Sequence, residues 1–218
     1  MRPPGGMANI ETGESLYSTD DFRLRASKEA GPFETRDWGD HRWNLDIADH
    51  FFRRSQRDAA VLIGVIERSE GANVLLTRRT DHLKTHSGQV AFPGGRIDPG
   101  DDGPVAAALR EAEEEVALPQ DRVEVLGRLP DYSTGSGFRI VPVLALLHPP
   151  FDLMPEPGEV ADIFEVPLSF LMEQANHIQD SRIWEGQRRY YWTMPFDDWH
   201  IWGVTAGIIR MMQERLYP

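Results

Sequence analysis

Residues 94–118 read GGRIDPGDDGPVAAALREAEEEVAL, and the second half of this stretch has the apolar spacing of a helix that carries an unusual charge. At about 100° per residue, Val105, Leu109, Ala112 and Val116 fall on one face, which must be the core side. Pro104 suits the first helical turn, Asp101 or Asp102 is placed to cap it, and Pro119 disfavours helix at Leu118. Between Asp98 and Glu115 there are seven acidic residues and one basic one, Arg110. Glu111, Glu114 and Glu115 project along one edge of the core face at offsets of three and four, whereas Glu113 falls on the other edge. Carboxylates crowded in this way repel one another unless they are dispersed on the surface or share a cation. Mg²⁺ or Mn²⁺ fits the crowding, because each takes oxygen ligands, keeps several waters and bridges carboxylates to phosphates. Calcium fits less well, since no EF-hand loop pattern is present.

Outward from the helix, AAVLIGVIE (Ala59–Glu67) and NVLLT (Asn73–Thr77) read as two buried strands joined by a polar turn. Further strands are expected at Val123–Leu129 and Phe138–Leu147. Ile178–Trp184 and Gln187–Met194 form a second expected hairpin, and Ala206–Leu216 repeats Ile208, Ile209, Met212 and Leu216 at helical spacing. The order is that of a mixed α/β domain over residues 58–218. Before it, residues 1–57 form an amino-terminal extension. Its first part reads as disordered, and residues 1–30, which lack the apolar periodicity to join a core, read as dispensable. Trp38, Trp43, Leu45, Ile47, Phe51 and Phe52 are too apolar for a free tail and are expected to pack on the main body.

Composition excludes several classes. With 23 Lys+Arg against 35 Asp+Glu the net charge is −12, which would repel a nucleic-acid backbone over most of the surface. The absence of cysteine excludes a disulfide scaffold, a thiolate metal site and a cysteine nucleophile. No apolar run approaches the ~20 residues of a membrane helix, and the first residues lack a secretory pattern. A cytoplasmic protein without a membrane partner is expected. His82 and His86 stand four apart but lack the glutamate of a zinc-helix motif, and no phosphate loop of the G-x4-G-K-[ST] kind is present. The aromatic set Trp184, Tyr190, Tyr191, Trp192, Trp199 and Trp202 is assigned to packing ahead of adenine stacking.

The opening stretch resembles a Nudix box, G-x5-E-x7-R-E-U-x-E-E-x-G-U with U aliphatic. Arg110, Glu111, Ala112, Glu114, Glu115 and Leu118 fall in register. The first half departs: Asp102 holds the box glutamate position, Gly95 lies one residue further upstream than usual, and Ala117 replaces the terminal glycine. A second stretch, LLTRRTDHLKTHSGQVAFPGG (Leu75–Gly95), is similar to the signature of coenzyme A pyrophosphatases, with Thr80 in place of Ser or Ala and Lys84 in place of Arg. That subfamily also tends to carry the widened spacing and the aspartate, and IWGVTAGII (Ile201–Ile209) resembles it too. The likeness covers about residues 59–210.

The resemblance implies an α/β/α sandwich around a mixed β-sheet. It also implies metal-dependent hydrolysis of the diphosphate of coenzyme A, or of its derivatives, to 4'-phosphopantetheine and adenosine 3',5'-bisphosphate. Glu111 and Glu115 would ligate Mg²⁺ or Mn²⁺, and Glu114 would be a third ligand or stand behind them. Arg110 would orient Glu111. Glu159, after a proline-rich loop, is a candidate general base. Arg78, Arg79 and Lys84 supply cations for substrate phosphates, the alternative being solvated charges at a strand end. Two other readings stay open: a Nudix pyrophosphatase for another nucleotide, such as ADP-ribose or NADH, and a nucleotide-sensing module without turnover.

Overall fold

The apolar run around Ala59–Glu67 faces two cores at once. In strand β2 (Arg57–Arg68), Val61, Ile63 and Val65 turn to one side of a sheet while Ala60, Leu62 and Ile66 turn to the other. Alternation with apolar residues on both faces marks a strand covered on both sides. The computed structural model describes residues 15–28, 38–45, 57–82, 87–184 and 186–218.

β2 pairs antiparallel with β3 (Gly71–Arg79), the expected hairpin, with Val65 opposite Val74. On its other edge β2 lies parallel to β8 (Phe138–Leu147), from Arg57 opposite Phe138 to Ile66 opposite Leu147. The remaining strands of this sheet are β1 (Trp38–Gly39), β4 (Val90–Ala91), β5 (Gly94–Arg96), β6 (Val123–Arg128), β7 (Tyr132–Ser133) and β9 (Val160–Pro167). The order is β1-β7-β8-β2-β3-β4, with β5 on β2, β6 on β8 and β9 on β3. It is a mixed sheet. A separate antiparallel sheet follows, β10 (Ile178–Trp184), β11 (Gln187–Phe196) and β12 (Trp199–Trp202).

Helix α2 (Gly103–Val116) covers one face of the large sheet through Ala107, Ala108, Ala112 and Val116. The other face is covered by α1 (Thr19–Lys28), the short α3 (Leu168–Met172) and α4 (Val204–Leu216), whose Ile208, Ile209, Met212 and Leu216 are buried. The chain is therefore an α/β/α sandwich around a mixed sheet.

Two expectations need correction. The first thirty residues do reach the core: Phe22 is fully buried and Ala26 nearly so, within the α4-side cluster. Phe22 makes this contact from the helix, Tyr17 just before it lies against Tyr217 at 5.2 Å, and polar links hold the rest. Arg25 bonds Asp21 at 2.7 Å and the Leu216 carbonyl at 2.8 Å, and Arg23 pairs with Glu124. A helix fixed by one residue and its charges leaves no apolar stripe to read. The first fourteen residues, where disorder is expected, lie outside the described residues.

Of the apolar residues expected to pack down, Trp38 is buried and Trp43 meets Trp192 edge-on at 5.3 Å, but Leu45 is 78% exposed. Ile47, Phe51 and Phe52 lie outside the described residues. The segment carrying Trp38 and Trp43 is tied in by polar contacts as well. Asp40, whose pKa is pushed up by burial, accepts from the Tyr132 hydroxyl at 2.9 Å and the Gly135 amide at 2.8 Å. Asn44 donates to the Tyr190 carbonyl at 3.0 Å and accepts from the Tyr190 amide at 2.8 Å.

Candidate active site

The site forms where β3, β5 and α2 converge. Strand β5 is seated on β2, with Gly94 opposite Val61 and Gly95 opposite Ala60. Gly94 has φ +152°, and a Cβ there would stand 2.4 Å from the Ala60 carbonyl oxygen, so only glycine brings the two strands this close. A Cβ on Gly95 would stand 2.5 Å from the Glu111 carboxylate, so the missing side chain is the space which that carboxylate fills.

Glu115 is the most enclosed of the acidic residues on α2. Its Oε2 accepts from the Gly94 amide at 3.1 Å, and its Oε1 faces Arg79 Nη1 at 3.4 Å. Burial pushes its pKa up to about 7, against the opposing pull of the Gly94 amide and Arg79, while Glu111 and Glu159 add to the rise. Glu111 is also raised, first by desolvation, with Arg110 opposing and Glu114 and Glu159 adding repulsion. Each group favours the neutral form because its charge is desolvated among other carboxylates.

Arg110 organises the opposite side. Its Nε and Nη2 fork onto Asp101 at 2.9 and 3.0 Å, and its Nη1 reaches Glu111 at 3.0 Å and Glu114 at 2.9 Å. These carboxylates hold the guanidinium pKa well above its ordinary range, Asp101 first. Asp102 takes the N-cap position of α2 but makes no side-chain cap bond. Asp101 turns back to accept from the Asp98 amide at 2.7 Å and to hold Arg110. Asp101 is the partner the sequence left undecided, because its contact with Arg110 bridges a loop of irregular conformation that no periodicity describes.

Arg79 sits at a β-bulge, where the register of β3 against β9 shifts between Arg78 and Arg79. A bulge re-aims a side chain. Arg79 Nη2 stands 3.7 Å from Glu159 Oε2 as well as facing Glu115, and Glu159 is half-exposed. The proline-rich loop holds Glu159 close by: the Glu156 amide donates to the Glu115 carbonyl at 2.9 Å, and the Thr80 amide donates to the Glu159 carbonyl at 2.9 Å.

The expected residues divide as follows. Glu111, Glu115, Arg79, Arg110 and Glu159 are brought together. Glu114 is exposed at the rim, held by Arg110. Glu113 bonds Gln120 at 2.7 Å, away from the cluster. Arg78 turns to Asp162 at 2.7 Å and to Asp81 at 3.5 Å. Lys84 lies outside the described residues.

Among the described residues no three His, Asp or Glu side chains enclose an ion by themselves. The donors nevertheless fit a hard cation. Glu111 and Glu115 are desolvated carboxylates with raised pKa values facing a third carboxylate, the setting that Mg²⁺ or Mn²⁺ relieves while waters and phosphate oxygens complete its shell.

Residues 56–191 match the NUDIX domain model. The chain belongs to the Nudix family. Relatives described as "Uncharacterized Nudix hydrolase NudL" in Yersinia pestis (strain Pestoides F) and Yersinia pseudotuberculosis serotype O:1b (strain IP 31758) are 41% identical over 173 residues, 79% of this chain and 86% of theirs. Similar solved structures include a Nudix hydrolase from M. smegmatis, RenU, with 26% identity over 53% of this chain and 73% of that one, and a TM-score of 0.45. Another is the Nudix domain of Shewanella oneidensis NrtR complexed with ADP ribose, with 20% identity over 79% and 96% of the two chains and a TM-score of 0.48. In this Nudix hydrolase the box is α2 together with the loop from β5. Its aspartate-for-glutamate departure falls on a helix N-cap that makes no side-chain cap bond, while Asp101 beside it secures the box arginine. No helix among the described residues is long and apolar enough to cross a membrane.

Proposed function

We propose that this Nudix hydrolase cleaves the diphosphate of coenzyme A, or of its derivatives, to 4'-phosphopantetheine and adenosine 3',5'-bisphosphate, in the cytoplasm. The observation that carries this reading is that both ends of the Leu75–Gly95 motif close on one carboxylate. Arg79 from its start and the Gly94 amide from its end both contact Glu115. The motif and the box are thereby one site.

Glu111 and Glu115 are the residues that would hold Mg²⁺ or Mn²⁺, with Glu114 available at the rim. The ion would supply a water of lowered pKa and neutralise charge on the diphosphate oxygens. Arg110 fixes the Glu111 carboxylate by a charge-assisted bond, and Asp101 fixes Arg110. Arg79, shared between Glu115 and Glu159, would turn one face of its guanidinium to a phosphate, with Lys84 of the same motif a second cation. Arg78, held by Asp162 and Asp81, stands behind them. Glu159 is the acceptor for the proton released when water oxygen bonds to one phosphorus and the bridging P–O bond breaks. The other phosphate leaves with the bridging oxygen.

Incubation of the pure protein with coenzyme A and Mg²⁺ or Mn²⁺, with products identified by mass, tests the reading. The two named products are expected. Intact coenzyme A alongside cleaved ADP-ribose or NADH would overturn the substrate assignment, and no turnover of any diphosphate would favour the sensing module.

A further inference from the structure

Among the described residues, Leu16, Leu24, Val125 and Met154 are exposed elsewhere, and the other large apolar side chains at the surface belong to one hairpin and its neighbour. Ile178, Ile183, Trp184 and Tyr190 of the β10–β11 hairpin are all exposed, and Leu45, the most exposed of all, follows the Asn44 that grips Tyr190. Grouped exposure of this kind marks a contact surface, unlike single scattered residues. The hairpin also ends in an edge strand, since among the described residues β10 pairs only with β11.

The backbone of that edge points outward at Ser181. Its cross-strand partner, Tyr190, has both amide and carbonyl taken by Asn44 on the other side. The Ser181–Tyr190 pair is therefore of the non-hydrogen-bonded kind, and the Ser181 amide faces away from β11. There it donates to Asp180 Oδ1 at 2.6 Å.

The sequence of the edge, IQDSRIW, complements itself about Ser181. If a second β10 lay antiparallel beside it with Ser181 opposite Ser181, residues equidistant from Ser181 would face each other. Asp180 would oppose Arg182 twice, Ile178 would oppose Trp184 twice, and Gln179 would oppose Ile183 twice. Asp180 and Arg182 would form non-hydrogen-bonded pairs with Cα atoms ~4.5 Å apart, the closer of the two spacings, which suits an ion pair. Arg182 stands opposite Arg189 in the register, with its guanidinium over the rings of Trp184 and Trp202 at 5.0 and 5.1 Å. We infer that two copies of this chain associate through β10, joining their three-stranded sheets into one six-stranded sheet across a two-fold axis at Ser181.

The full chain has no cysteine, so Ser181→Cys introduces a single thiol at the proposed axis. A short bis-maleimide is expected to crosslink this variant into a dimer, while Glu173→Cys, exposed beyond the hairpin, stays uncrosslinked. By sedimentation the wild type is expected at twice the chain mass. Asp180→Arg and Arg182→Asp each place like charges opposite one another and should weaken self-association by at least about tenfold. An equimolar mixture of these two variants should regain the dimer, because every facing pair is then complementary. Ser181→Pro, which removes an outward amide and leaves the β10–β11 ladder intact, should be monomeric while keeping the circular dichroism spectrum of the wild type. A monomeric wild type overturns the inference. So does a dimer that survives Ser181→Pro, or a Ser181→Cys chain that does not crosslink.

Discussion

Glu115 and Glu113 are two positions apart on one helix and have opposite surroundings. Glu115→Gln is expected to abolish turnover with the fold intact, and Glu113→Gln, which keeps an oxygen to accept from Gln120, to leave turnover within about twofold of wild type. Circular dichroism and steady-state rates check both. The buried position of Glu115 also sets a pH dependence. Unfolded, it would take up a proton only below its ordinary 4.5, while in the folded protein it does so up to about 7. Between those values the folded state holds more protons, so stability is greatest below the window and is lost as pH rises through it. The metal-free protein should therefore show a thermal midpoint falling from about pH 5 to about pH 8, with a flatter slope in Glu115→Gln. An identical slope in both would remove Glu115 as the cause. For Arg79→Ala the expected loss in kcat/KM for coenzyme A is roughly 1.5–3 kcal/mol, that of a charged hydrogen bond. A thermal midpoint lowered without any change in kcat/KM would make Arg79 structural only.

At the scale of elements, helix α2 ends on a residue that strains it. Ala117 has φ 56° and ψ 32°, with its amide bonded to the Glu113 carbonyl at 3.0 Å and the Leu118 amide reaching the Ala112 carbonyl at 3.4 Å. This is the left-handed helix end that glycine adopts without cost. Ala117→Gly should raise stability by roughly 0.5–1 kcal/mol, because the greater freedom of glycine in the unfolded chain offsets part of the relieved strain. Denaturant titration would show it, and a loss of stability would mean that the Ala117 methyl makes a contact worth more than the strain. Helix α1 carries the opposite lesson. Phe22→Ala should cost about 3–5 kcal/mol, the range for a buried aromatic, even though the segment around it reads as dispensable. The elements legible in the sequence were β2, β3, β6, β8, β10, β11, α2 and α4, and those of the centre, β2, β3, β8, α2 and α4, each carry an apolar period. The N-cap, the bulge that aims Arg79 and the fork between Arg110 and Asp101 were not, since each depends on one side chain meeting another across a loop. The glutamates of the site were legible because their spacing on a helix is itself periodic.

Across the whole molecule, the pairing that the strand pattern did not disclose is the one that holds the centre. Adjacent strands form local hairpins readily, but β2 takes β8 as its parallel neighbour, and position 57 meets position 138. Those partners stand 81 residues apart (138 − 57), with the whole Nudix box between them. Such a contact must wait for a long loop to close, and that delay slows folding more than any local step does. During synthesis the β2–β3 hairpin emerges first, with Ile63, Val65 and Val74 bared on one face and Leu62, Ile66 and Leu75 on the other. The box that follows can cover the second face, but the β8 edge of β2 stays unpaired until residues 138–147 leave the ribosome. The nascent chain thus passes through an interval in which a strand apolar on both faces has an open edge, and chaperone demand should peak at that chain length and fall once β8 has docked.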